Sequence, residues 1–237
     1  MRLNKYLSES GFCSRREADE LIEQGRVTLD GEIASTGAKW LEGMAVCVDG
    51  DPVKLRAAIK HKRKHVYIAL NKPVGITCTT DQSVKGNIVD FVDHQQRIFP
   101  IGRLDKDSEG LILLTSNGDI VNQILRSENN HEKEYLVGVN KVVSDDFLRN
   151  MARGVRIHGQ MTKPCKVARL ARYGFRITLT QGLNRQIRLM CEALGYRVTA
   201  LRRIRIINVQ LGRLKPGGWR NLTEQELRGL LPENKEW

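Results

Sequence analysis

"FPIGRLDKDSEGLILLTSNGD" occupies residues 99–119 and sets a carboxylate beside what is otherwise a strand-forming sequence. Phe99, Pro100 and Ile101 lead in, Leu111 to Leu114 form an apolar run, and Asp105 stands between them with Arg103 and Lys106 nearby. A short apolar run bounded by Ser, Gly and Asp reads as a buried strand with turns at its ends. Asp105 then has two readings. It shapes the turn, as Asp, Ser and Gly commonly do, or it is a functional carboxylate placed at the mouth of a strand.

Outward from this stretch the chain alternates irregularly between strand and helix patterns. "VYIAL" (66–70), "LILLT" (111–115), "EYLVGV" (134–139), "FRITLTQ" (175–181) and "IRIINVQL" (204–211) are β-rich. Helical spacing recurs near residues 119–126, 144–152, 184–194 and 223–230, the last opened by a capping box from Thr223 to Glu226. Strict βαβ alternation is missing, as are G-x-G-x-x-G and the P-loop pattern, which disfavours dinucleotide-binding and P-loop folds. The expected architecture is α+β, a mixed and mainly antiparallel sheet with flanking helices, over residues 66–237.

Residues 1–55 form a smaller αβ unit. A short helix from Leu3 to about Glu9 precedes "SRREADELIEQG", in which Ser14 and Glu17 make a capping box and Gly25 ends the helix. "RVTLDGEIA" then carries Asp30-Gly31, a hairpin turn signal. The basic, weakly apolar "RAAIKHKRKH" (56–65) reads as a linker.

The net charge of +12 is unevenly placed. Residues 165–220 hold 13 Lys and Arg but one acid, Glu192. A one-signed block interleaved with apolar residues fits a polyanion such as RNA or DNA. The five cysteines are scattered with no CxxC pair, so neither a disulfide framework nor a zinc site is expected. No apolar segment is long enough for a membrane span or a secretory leader. A cytoplasmic protein with reduced thiols is the expectation.

"TQGLNRQIRLMCEALGY" (180–196) supplies a possible partner for Asp105. Asn184 suits an N-cap, and Ile187, Met190, Cys191 and Leu194 make a buried stripe. Arg185 and Arg188 fall together on another face near the helix start, where the dipole already favours negative charge. An arginine reaching a buried carboxylate favours its ionised form, as a nucleophile requires. A solvated arginine pair is the competing reading.

Resemblance sharpens these readings. "RLNKYLSESGFCSRREADELIEQGRVTLDGEIA" resembles the S4 RNA-binding domain, which implies that Arg2, Lys5, Arg15 and Arg16 face RNA phosphates. "LNKPVG" (70–75), the 99–119 stretch, "KEYLV" (133–137) and "QGLNRQIRLM" (181–190) resemble, in order, the motifs of the RsuA-type bacterial pseudouridine synthases, which also carry an S4 domain. Within that family the likeness is to a large-subunit rRNA enzyme.

The resemblance implies isomerisation of a uridine in structured RNA, a 23S rRNA stem-loop with tRNA as a further candidate. The N1–C1′ bond is exchanged for C5–C1′ after the base is flipped out. No cofactor and no metal are implied, and a monomer is expected. By motif, Asp105 is the catalytic aspartate, Tyr135 the tyrosine that stacks on uracil, and Arg188 the arginine paired with the aspartate. Arg103, Leu104, Lys106, Arg185, Gln186 and Ile187 flank these residues and are expected to contact RNA. Lys72, Pro73 and Leu201 are expected to support the site. The competing class is a non-catalytic S4-type RNA-binding factor associated with the ribosome.

Overall fold

The structure, a computed structural model, describes residues 1–54, 65–121, 124 and 131–230. It divides into two units, Met1–Lys64 and His65–Trp237. The basic stretch 56–65 lies, apart from His65, outside the described residues, as does half of the helical pattern at 119–126.

In the first unit, α1 (Leu3–Glu9) and α2 (Arg15–Glu23) pack over a small sheet. The Ser14 side chain accepts from the Glu17 amide at 3.2 Å, and the Ser14 amide donates to the Glu17 carboxylate at 2.7 Å. Both orphan donors of the first turn are thereby satisfied. β1 (Val27–Leu29) returns as β2 (Glu32–Ile33) across Asp30-Gly31, whose φ angles of +49° and +89° are those of a type I′ turn. β3 (Val46–Val48) and β4 (Asp51–Pro52) complete the sheet in the order β2-β1-β3-β4. Leu3, Leu7, Ala18, Ile22 and Val27 fill its core.

The second unit is built on β5 (Tyr67–Lys72), β6 (Phe99–Ile101), β7 (Glu109–Thr115), β8 (Lys133–Val139), β9 (Arg156–Ile157), β10 (Gln160–Met161), β11 (Lys166–Ala171), β12 (Gly174–Leu179), β13 (Val198–Ile206), β14 (Val209–Gln210) and β15 (Trp219–Asn221). The sheet runs β11-β12-β8-β13-β7-β5-β15, with β14 paired to β13 and β6 to β7. Its neighbours pair antiparallel except β7 and β13, which are parallel. The fold is therefore α+β with a mixed, mainly antiparallel sheet.

Four helices are described in this unit: α3 (Ile88–Val92), α4 (Asp145–Arg153), α5 (Gln186–Ala193) and α6 (Glu224–Leu230). The apolar runs of β5 and β7 are covered on both faces. Tyr67, Ala69, Leu111 and Leu113 face one core, while Ile68, Leu70, Ile112 and Leu114 face another. A third core packs α4 and α5 on β8 and β12 through Phe147, Met151, Phe175, Ile177 and Met190.

"IRIINVQL" is β-rich as read, and Ile207 at φ +53° folds it back as β14 against β13. One local expectation is corrected. Asn184 is not the cap of α5. Arg185 occupies that position in a left-handed conformation, and the Gln186 side chain instead accepts from the Leu183 amide at 3.0 Å.

Candidate active site

Asp105 lies on the loop joining β6 to β7, and its backbone, not its side chain, makes the turn: the Asp105 carbonyl accepts from the Ser108 amide at 3.0 Å. The carboxylate is thereby left for other work. The Gly75 amide donates to the Lys106 carbonyl at 2.8 Å, tying this turn to the segment after β5. Lys72 holds that segment from beneath. Fully buried, its Nζ donates to the carbonyls of Pro73 at 2.9 Å and Ile76 at 2.8 Å. Burial pushes the Lys72 ammonium below its usual range, although Cys78, Asp105 and Asp107 pull it back.

The start of α5 supplies two cations. Arg185 Nη1 stands 3.7 Å and Arg188 Nε 3.9 Å from Asp105 Oδ2, within ion-pair range but beyond a hydrogen bond. Arg188 is clamped more tightly to the turn itself. Its Nη2 donates to the Asp107 carbonyl and to Ser108 Oγ, each at 3.0 Å, and lies 3.2 Å from the Asp107 carboxylate. Burial raises the Asp107 carboxyl, but the Arg185 hydrogen bonds and the charges of both arginines outweigh it and hold the group below its ordinary value. The sequence suggested one arginine–aspartate pair; the structure has two arginines serving two aspartates.

Asp105, Ser108 and Arg185 edge a cavity of about 1040 Å³. That is at the upper end for sites that take small molecules, so a nucleotide and part of its backbone can enter. Asp105, Tyr135, Leu201, Arg103, Leu104 and Lys106 line it together with Arg185, Gln186 and Ile187. Tyr135 sits mid-strand on β8 with its ring partly buried. Pro73 lies beside the cavity without lining it, and Arg188 reaches it only through Asp105. Among the described residues no cluster of three or more His, Cys, Asp or Glu could hold a metal ion.

Residues 66–193 match the RNA pseudouridylate synthase family, more than half of the chain. The chain belongs to that family. As an RNA pseudouridine synthase it is an isomerase, and its residues 1–46 match the S4 domain. It is 58% identical to the dual-specificity RNA pseudouridine synthase RluF of Salmonella typhi over 226 residues, 95% of this chain and 77% of that protein. It is 57% identical to RluF of Escherichia coli K12 over 227 residues, 96% of this chain and 77% of that one. A crystal structure of a pseudouridylate synthase matches with a TM-score of 0.71 at 30% identity, covering 98% of this chain and all of that chain.

The synthase carries site residues that the sequence did not single out. Arg203 on β13 is 4% exposed and lies 5.9 Å from the Tyr135 ring centre. Lys133 and Cys78 also line the cavity. Arg203 was legible in principle, because it shares strand parity with buried Leu201.

In the S4 unit of the synthase, Arg2, Arg15 and Arg16 are exposed, and Lys5 lies 3.4 Å from Glu9. Among the described residues no helix is long and apolar enough to cross a membrane.

Proposed function

We propose that this synthase converts one uridine of a 23S rRNA stem-loop into pseudouridine, with a tRNA as second substrate, and that Asp105 carries the chemistry. One observation above all supports this reading: an aspartate at a cavity wall, flanked by two arginines, whose carboxylate accepts no hydrogen bond among the described residues. The relatives named dual-specificity RluF favour two RNA substrates over one.

The target base is extruded from its stack, at a cost of a few kcal/mol that backbone phosphates bound to basic residues offset. Arg103, exposed two residues before Asp105, fills the vacated space or holds a phosphate. The uracil stacks on Tyr135, and Leu201 provides an apolar contact closing the pocket. As N1–C1′ breaks, its electron pair leaves with N1. Asp105 either bonds to C1′ or takes the C2′ proton to give a glycal. The uracil then turns, and C5 bonds to C1′ as the Asp105–C1′ bond breaks or, on the glycal route, as Asp105 returns the proton to C2′; the C5 proton is then lost and N1 gains one. Every atom of the nucleotide is retained.

In the S4 unit, Arg2, Lys5, Arg15 and Arg16 bind phosphates. Arg15 and Arg16 stand at a helix N-terminus, where the dipole disfavours cations unless an anion is brought to them.

The test is to map pseudouridines by carbodiimide labelling and mass spectrometry in rRNA and tRNA from cells with and without the protein. Asp105→Asn should abolish product in a purified assay while RNA affinity stays within a few-fold. Lost binding with turnover intact would return Asp105 to a structural role.

A further inference from the structure

Arg203 is a buried cation of this site with no acidic partner among the described residues. Its Nε donates to the Leu111 carbonyl at 2.7 Å and its Nη1 to the Arg103 carbonyl at 3.4 Å, both neutral acceptors. Its Nη2 is buried and has no hydrogen-bond partner. Among the described residues no carboxylate lies within ion-pair distance of the guanidinium. Burial lowers the Lys72 and Lys133 ammonium groups, and Arg203 lowers both further. Lys133 shares the cavity wall with Arg203.

A guanidinium does not shed its proton, so its burial creates a standing positive potential. An uncompensated buried charge is costly, and apolar residues of similar size can replace one without loss of stability. The structure therefore holds a positive potential against the face of Tyr135, on which the uracil is proposed to lie. In the isomerisation, uracil is the part that turns negative, as the N1–C1′ pair departs onto N1 and spreads over O2 and O4. Preorganised positive groups placed where charge develops are a principal source of catalytic rate.

We propose that Arg203 stabilises the uracil anion between N1–C1′ cleavage and C5–C1′ formation through the field of its buried guanidinium behind Tyr135, with Lys133 adding to that field. The proposal rests on the isomerase reading of the Asp105 site. Arg203 exchanges no proton: the electron pair leaves C1′ with N1 and returns to C1′ from C5.

The experiment is single-turnover kinetics under saturating enzyme, on a stem-loop carrying uridine or 5-fluorouridine at the target position. The readout is disappearance of the starting nucleoside. Fluorine withdraws electrons and stabilises the uracil anion, so that substrate needs less help. Arg203→Met should slow the uridine substrate about 100- to 1000-fold and the 5-fluorouridine substrate at least tenfold less. Arg203→Lys, which keeps the charge, should recover part of the rate, and RNA affinity should stay within a few-fold.

Equal slowing on both substrates overturns the proposal. So does a loss confined to affinity, which would make Arg203 a phosphate clamp. Should Arg203→Met fail to fold, the same substrate ratio is read from Arg203→Lys, where equal slowing again overturns it. An unmodified protein that forms no pseudouridine, or an Asp105→Asn variant that still does, would instead sink the reading of the site itself.

Discussion

Arg188 ties down a turn and stands beside the candidate catalytic carboxylate at once. It was expected to pair with Asp105, yet its closest contacts are the Asp107 carbonyl, the Asp107 carboxylate and Ser108 Oγ, and Ser108 is fully buried. Its effect on Asp105 is then largely to fix the turn that presents it. Arg188→Met should leave the Ser108 hydroxyl and Asp107 carbonyl short of a donor, costing about 1–3 kcal/mol in urea unfolding, together with most of the activity. Asp107→Asn keeps the shape but weakens the clamp, and should give a smaller loss of both. An Arg188→Met variant as stable as the parent would show the clamp to be incidental. Asp105 and Arg188 were legible because motif and spacing marked them. Arg203 was passed over, because an arginine in "LRRIRI" reads as one more cation of a basic stripe, although its parity with Leu201 marked the buried face.

Among the elements, what depends on nearby residues was readable and what depends on distant ones was not. The capping boxes at Ser14 and Thr223 and the Asp30-Gly31 turn are decided within four residues, and all three form. The parallel pairing of β7 with β13 joins Glu109 to Arg202 and Gly110 to Arg203, and no local pattern announces it. Gly110 is its hinge. At φ +106° a side chain is strained, and a Cβ there would run into the Arg203 backbone. Gly110→Ala should cost about 3–5 kcal/mol in chemical denaturation and, by displacing Arg203 from Tyr135, depress turnover beyond what lost stability explains. At the other end of the unit, the Arg220 hydrogen bond holds the Glu226 carboxyl below its ordinary 4.5 against the opposing effect of burial. The native state binds this proton less readily than the unfolded chain, so the stabilisation is complete above pH 4.5 and is lost as pH falls through the depressed value. Glu226→Gln should therefore destabilise the protein at pH 7 and have progressively less effect as the medium is acidified below that range, when urea unfolding is followed at each pH.

Over the second unit, the basic block of residues 165–220 is less free than its composition suggests. Lys166, Arg169, Arg176, Arg202, Arg205 and Arg220 ion-pair with acids from outside the block: Glu132, Asp145, Glu134, Glu109 and Glu226. Arg185 and Arg188 serve Asp105 and Asp107, and Arg203 is buried. Of the 13 cations, Arg172, Arg197, Arg213 and Lys215 stand exposed or half-buried with no acid within ion-pair distance among the described residues. Arg172 lies 5.5 Å from the exposed Tyr173 ring, an arrangement suited to an unpaired base. Counterion release makes the distinction measurable, since each phosphate neutralised adds about 0.7–0.9 to the slope of log affinity against log salt. Engagement of all thirteen would give a slope steeper than about −9, whereas these four with Arg103, Lys106 and the S4 arginines should give about −6 to −8. Arg172→Ala and Arg197→Ala should each make the slope shallower by about one. Arg169→Ala and Arg176→Ala, which remove cations already paired, should leave it unchanged. A slope that responds equally to all four would mean that RNA displaces Asp145 and Glu134 from their arginines, and that the whole strip from β11 to β13 is the binding face.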